Sequence, residues 1–365
     1  MTPTRGRLAL LAVIILAWFG VFEASLRVAG SSEADPTFRR LFTLDPVIGY
    51  RLHPSTSIRF TTSEFSTDIS INSAGVRDDE IGPKPPGERR IVVLGDSLVL
   101  AVQVPLQQTF CKQLERRLNG RGGATHYRVI NAGVQGYGPV EDALFYERVA
   151  ARLQPDLVVV VVFVANDAIE ASDRSFRLTS GGLPVVGARR EVVRNIRRVV
   201  RASVVLQILS QRWSQLKERF RGGRAASPDR RLLTYATPET DEVSRGLDVS
   251  REALARLAGR VTGSGARMAI ALMPARFQID PEEFDRLRAV VEPAGYRMSV
   301  DDANDRFRAA LTPLNLPLID LLPALRAANR SNDVFFASTV HLTPYGHEVA
   351  ADALLSFLDQ AHLTP

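Results

Sequence analysis

Eight consecutive apolar residues, Leu157 to Val164 (LVVVVVFV), constrain this chain more than any other stretch. They do not alternate with polar residues, so a strand built from them is buried on both faces. Its β-branched content also favours strand over helix. Such a strand belongs near the centre of a parallel sheet with helices on either side. The surrounding sequence supplies the remaining elements. Strand-like runs fall at Ile91 to Leu94, Tyr127 to Ile130, Arg267 to Met273 and Leu316 to Leu321. Between them, Leu106, Phe110, Leu114 and Leu118 recur at helical spacing, and helices are expected over 140–153, 242–262, 281–291 and 302–311. Thr343-Pro344, a good N-cap and first-turn pair, opens a closing helix. About five strands alternating with helices predict an α/β fold built on a doubly wound parallel sheet.

The 365 residues, 45% hydrophobic, suffice for one large α/β domain with additions. Arg5 and Arg7 precede an unbroken apolar run, Leu8 to Phe22, which covers about 22 Å as a helix, between a signal-peptide core and a full membrane span. Residues 1–30 are therefore expected to be a membrane anchor, in preference to a signal peptide cleaved after Val28-Ala29-Gly30. The body should then face away from the cytoplasm. Residues 31–88 read as an irregular, β-containing lead-in, closed by the stiff Pro83 to Gly87 boundary. Residues 89–365 form the main domain, interrupted at about 172–235 by a basic helical insertion that carries much of the net charge of +6. That insertion is read as a helix covering the domain rather than one lying on an anionic membrane. It lacks interleaved aromatics, so nucleic acid is not an expected partner. Cys111, the single cysteine, excludes an intrachain disulfide and reads as a packing residue.

The strand ends carry the chemistry. Ile91 to Leu94 runs into Gly95-Asp96-Ser97, the second strand ends before Gly133, and the third ends before Asn166. His341 precedes the last helix. All would lie at the carboxyl edge of one parallel sheet, where open α/β folds bind ligands. A serine hydroxyl becomes a useful nucleophile when a base takes its proton, and His341 is the candidate base. The backbone amides of Ser97 and Gly133 and the side-chain amide of Asn166 can hold the resulting oxyanion. His53, His126 and His362 read as surface or tail residues and His347 as structural. No metal-ligand spacing, P-loop or dinucleotide fingerprint is present, so neither metal nor other cofactor is expected.

GDS at 95–97, Gly133 in NAGVQGYG, Asn166 in AND and His341 ahead of LTPYGH together resemble the four blocks of the SGNH/GDSL hydrolases. The lead-in segments DPVIGYRLHP and INSAGVRDDE resemble those of membrane-anchored bacterial members. The resemblance implies a flavodoxin-like three-layer α/β/α sandwich with a five-stranded parallel sheet. It also implies metal-free serine ester hydrolysis or acyl transfer. Ser97 would be the nucleophile, Ser97, Gly133 and Asn166 the oxyanion donors, and His341 the base.

One departure stands out. The family's aspartate three residues before the histidine is here Ser338. Loss of the orienting acid costs a serine protease about 10⁴-fold in turnover. Three readings follow: Asp333 or another carboxylate orients His341; Ser338 or a carbonyl does so in a slower dyad; or the chain binds ligand without catalysis. A working enzyme is preferred, because the other four residues remain. The expected activity is acyl or acetyl ester hydrolysis on an extracytoplasmic carbohydrate or lipid ester. Alternatives are O-acyl transfer to exported polysaccharide and a non-catalytic binding role.

Overall fold

The computed structural model describes residues 36–173, 177–178, 184–185 and 229–364. The expected N-terminal anchor and most of the basic insertion lie outside the described residues. Among those described, no helix is long and apolar enough to cross a membrane. The described residues of 37–174 and 228–365 form one compact unit, and residues 177–178 and 184–185 belong to a second. In the latter, Arg177–Leu178 pairs antiparallel with Pro184–Val185.

The larger unit begins with two antiparallel hairpins: β1 (Phe42–Asp45) with β2 (Gly49–Leu52), and β3 (Thr56–Thr61) with β4 (Ser66–Ile71). Alternation in β4 puts Thr67, Ile69 and Ile71 inward and Ser66, Asp68 and Ser70 outward. This order is more regular than the lead-in sequence suggests.

Five parallel strands follow: β5 (Glu88–Leu94), β6 (His126–Asn131), β7 (Leu157–Phe163), β8 (Arg267–Met273) and β9 (Leu318–Asp320), in the spatial order β9-β8-β7-β5-β6. The apolar run is the middle strand, with all seven residues buried. Each buried valine there contributes about 1.5–3 kcal/mol relative to an exposed one. Register is continuous across the sheet, Val92 facing Val158, Val160 facing Ile270 and Ile270 facing Leu318.

The connecting helices are α1 (Ser97–Leu100), α2 (Phe110–Asn119), α3 (Pro139–Arg148), α4 (Asp167–Asp173), α5 (Asp241–Gly263), α6 (Pro281–Val291), α7 (Asp302–Leu311), α8 (Leu322–Ala328) and α9 (Pro344–Gln360). α9 packs on α2 and α8, whereas α5 packs on α3, α4 and α7. Because strand order reverses after β6, right-handed crossovers place these two groups on opposite faces. Two expected boundaries shift. The stripe beginning at Leu106 becomes a 3₁₀ turn, and the α-helix starts at Phe110 under the Thr109 cap. The helix from Pro139 ends at Arg148 and resumes as a 3₁₀ turn over Ala150–Leu153.

The strand order is that of a flavodoxin-like sheet. Its topological switch lies between β5 and β7, the strands that lead into Ser97 and Asn166.

Candidate active site

Ser97 is the first residue of α1, and its position is over-determined. Gly95 turns the chain at φ +147°, and a Cβ there would lie 2.9 Å from the Val161 carbonyl oxygen, so only glycine fits between β5 and β7. The Asp96 carboxylate caps the turn by accepting the Leu98 N–H at 2.8 Å. At the far end, Ala101 is left-handed, and buried Arg77 donates to the carbonyls of Leu100 (2.7 Å), Ala101 and Val104 (2.7 Å). Burial lowers the Arg77 pKa to about 10, so the guanidinium stays charged at neutral pH. The Ser97 side chain makes no hydrogen bond among the described residues, and the residue is 7% exposed.

Gly133 packs directly on α1. A Cβ at this position would sit 2.3 Å from the Leu100 nitrogen, so glycine is required by close approach. Its N–H donates to Asn131 Oδ1 at 3.2 Å, and Asn131 Nδ2 donates to the Val99 carbonyl at 2.7 Å. Asp78 in turn accepts the Asn131 backbone N–H at 3.1 Å and pairs with buried Lys112 at 2.8 Å. The segment before β5 thereby supports both the Gly133 loop and the Ser97 turn through Arg77 and Asp78. Sequence reasoning did not single out these two supports, although both lie in INSAGVRDDE.

Asn166 stands at the end of β7. Its Nδ2 donates to Glu170 Oε1 at 2.8 Å, while its buried Oδ1 has no partner among the described residues. Asp167 accepts the Phe163 N–H at 2.9 Å. Burial pushes Asp167 well above the carboxylate range, aided by the neighbouring charges of Asp96 and Asp142. Asp96 is likewise raised to about 7, chiefly by burial and further by Glu170. Two buried carboxyls thus flank the switch point, and a shared negative potential there resists full ionisation. Among the described residues, no group of three or more His, Cys, Asp or Glu is arranged to hold a metal ion.

His341 lies in a loop closed by the Phe335–Leu342 bridge and by the Phe336 N–H donating to its carbonyl at 2.9 Å. Neither ring nitrogen has a hydrogen-bond partner among the described residues. Burial lowers its pKa to about 4, so the ring is neutral at pH 7. Asp333 is exposed, and its carboxylate forms no hydrogen bond or ion pair among the described residues. Ser338 turns elsewhere: its hydroxyl donates to Glu64 Oε2 and its N–H to Glu64 Oε1 at 3.2 Å. Glu64 sits in the β3–β4 turn, where nothing in TTSEFS marks it as part of a site.

That same hairpin also touches the segment that follows α1. Thr67 Oγ1 donates to the Gln103 carbonyl at 3.2 Å, and the Phe65 ring lies 5.8 Å from Phe336. It therefore spans from the segment after α1 to the His341 loop. The two histidines differ sharply in use. His347 Nδ1 accepts the Phe110 N–H at 3.3 Å and its ring stacks on Phe110, a structural role that matches its sequence reading. Cys111 is buried, which pushes its thiol pKa up and suits packing.

Residues 233–364, about the C-terminal third of the chain, match the family model described as "SGNH hydrolase-like domain, acetyltransferase AlgX". A probable alginate O-acetylase AlgJ of Pseudomonas syringae pv. tomato is 29% identical over 123 residues, covering 33% of this chain and 30% of that protein. Among solved structures, TesA has a TM-score of 0.42 and 13% identity, covering 74% of this chain and 99% of that chain. A variant of the acetyl xylan esterase Axe2 of Geobacillus stearothermophilus also has a TM-score of 0.42 and 13% identity, with coverages of 74% and 94%. Structural likeness of this degree carries no functional argument. The family match includes His341 but not the Ser97, Gly133 and Asn166 blocks. The resemblance to the SGNH/GDSL hydrolases read from the sequence stands, and residues 233–364 are similar to the SGNH hydrolase-like family model.

Proposed function

Proceeding from that SGNH hydrolase-like character, we propose that the chain performs serine acyl-ester chemistry, moving an acetyl group to or from a carbohydrate hydroxyl. The observation that carries this reading is a Ser97 held at the sheet's switch point, with a conformation fixed by Gly95, Asp96 and Arg77. His341 complements it as a buried neutral imidazole whose nitrogens are uncommitted among the described residues. Ser97 Oγ would attack the ester carbon while its proton passes to His341. Donors from Ser97 N–H, Gly133 N–H and Asn166 Nδ2 would hold the oxyanion. The Gly133 donor is lightly engaged by Asn131 at 3.2 Å, a contact that a charged acceptor displaces. Collapse returns the proton from His341 to the departing sugar alkoxide and leaves acetyl-Ser97. A second hydroxyl, from water or sugar, then takes the acetyl group by the reverse steps.

Two matches favour acetyl transfer to polysaccharide over simple hydrolysis: the acetyltransferase family model and the alginate O-acetylase relative. Arg5, Arg7 and the apolar run to Phe22 support an extracytoplasmic placement, with 1–30 as anchor or cleaved signal, 31–88 as lead-in and 89–365 as the catalytic body. A non-catalytic binding role is the second reading, favoured by the lack of a carboxylate on His341.

Full-length detergent-extracted protein should react with a fluorophosphonate probe and turn over p-nitrophenyl acetate. Adding an alginate oligosaccharide should divert acetyl groups to sugar hydroxyls. Ser97→Ala and His341→Ala should abolish turnover. Absence of Ser97-dependent labelling and turnover would leave the binding reading standing.

A further inference from the structure

We infer that Glu64, on the lead-in hairpin, is the positioning acid of His341 and acts through the Ser338 hydroxyl. This rests on the reading of His341 as the base. Position 338 is where a carboxylate is expected from the sequence and is missing. There the serine hydroxyl and backbone N–H both donate to the Glu64 carboxylate, so an acid is held one hydrogen bond away from the vacant role.

The arrangement is built on both sides. Phe65, next in sequence, lies against Phe336 in the histidine loop, and Thr67 ties the same hairpin to Gln103. Arg276 braces that loop from beneath, donating to the carbonyls of Phe336 (3.3 Å) and Ala337 while its other terminal nitrogen bonds Glu283 at 2.7 Å. The other ionisable groups nearby do not supply the acid. Glu283 is spent on Arg276, Asp333 is exposed without a partner among the described residues, and His347 is held neutral by burial and committed to Phe110.

The chemistry asks little of this acid. When His341 takes the Ser97 proton, the imidazolium gains an N–H that needs an acceptor. Ser338 Oγ has lone pairs free because its own proton goes to Glu64, and the carboxylate polarises the hydroxyl toward the positive ring. No proton needs to reach Glu64. Both ring nitrogens are without a partner among the described residues, so the inference requires the ring to meet Ser338 Oγ on substrate binding, as catalytic hydrogen bonds often tighten only in the loaded enzyme.

The test follows the His341 titration by NMR in histidine-labelled full-length protein, assigned with His341→Ala, and follows kcat and KM on p-nitrophenyl acetate in parallel. Glu64→Gln should lower the His341 pKa by about half a unit or more. It should lower kcat about 10-fold or more with KM unchanged. Ser338→Asp placed in the Glu64→Gln background should restore both by carrying the carboxylate itself. An unchanged titration and rate in Glu64→Gln would overturn the proposal. So would a loss that Ser338→Asp does not relieve, which would make the hairpin contact merely structural. If wild type shows no Ser97-dependent turnover, the functional reading fails, while the titration still decides whether Glu64 tunes His341.

Discussion

Arg77 is the residue whose removal should tell most about how Ser97 is held. Its side chain is fully buried and donates to three carbonyls at the end of the four-residue helix that Ser97 begins. Replacing it with methionine keeps much of the volume but leaves the Leu100, Ala101 and Val104 carbonyls without that donor. The Ala101 carbonyl still accepts the Val104 N–H at 3.2 Å; a buried acceptor left unsatisfied costs about 1–3 kcal/mol, so the Leu100 and Val104 carbonyls give a gross loss of about 2–6 kcal/mol. Relief from burying a guanidinium offsets several kcal/mol of that. A net loss of about 2 kcal/mol is expected for Arg77→Met. Lysine retains charge but lacks the fork that reaches three oxygens, so Arg77→Lys should lose about half as much. Urea unfolding followed by far-ultraviolet circular dichroism measures the stability, and the fluorophosphonate labelling rate, in urea-free buffer, reports on Ser97. Labelling should slow at least 10-fold in Arg77→Met, because an unbraced α1 no longer holds Ser97 against Gly133. A loss below 1 kcal/mol with an unchanged labelling rate would refute the assignment of Arg77 as the brace.

Three further outcomes follow. Gly133→Ala should destabilise the fold by about 1–3 kcal/mol in the same urea assay and sharply slow labelling, since its Cβ would sit 2.3 Å from the Leu100 nitrogen; wild-type behaviour would show that the backbone can yield there. With the His341 pKa lowered to about 4, the acid limb of kcat/KM for the ester assay should lie near pH 4, with activity present above it, and a limb near 6.5 would mean that the ring is solvated in solution. Asp96 has a folded pKa of about 7, above its unfolded value of 3.8, so its ionised form opposes folding at high pH and that penalty disappears as pH falls toward 3.8. Asp96→Asn should therefore stabilise at pH 8, by up to about 4 kcal/mol, with the gain gone by pH 4; a pH-independent difference would show that Asp96 is not buried as a charge.

The central strand and the strand–helix alternation were legible because burial on both faces writes itself as an unbroken apolar run. β8, α6 and α7 begin and end where their periodicity places them. The run Leu316 to Leu321 overshoots β9 at both ends. Only Leu318–Asp320 joins the ladder, and the Pro317 carbonyl before it accepts the Ile270 N–H. The candidate residues at strand ends were legible too, because glycine and polar residues interrupt apolar runs abruptly. What escaped was everything that depends on long-range pairing. Glu64 in a polar turn, Glu170 one helical turn after Asn166, and the Arg77 and Asp78 braces carry no local pattern. Their partners lie elsewhere in the chain or are satisfied by geometry that spacing does not encode. The turn at Glu64 has the composition of any solvent-facing hairpin, and its contact with Ser338 is visible only once the chain has folded.

That contact joins residues 274 positions apart, and the Phe110–His347 contact joins residues 237 apart. The β3–β4 hairpin and α2 are thus each tied to segments that come much later in the chain. A chain emerging N-terminus first carries Ser97 long before it has a histidine loop for the β3–β4 hairpin to grip. Such loop closure is slow and comes late in folding. On the roles proposed for Ser97 and His341, a chain cut before the histidine loop would hold the serine without its base, and Glu64 without Ser338.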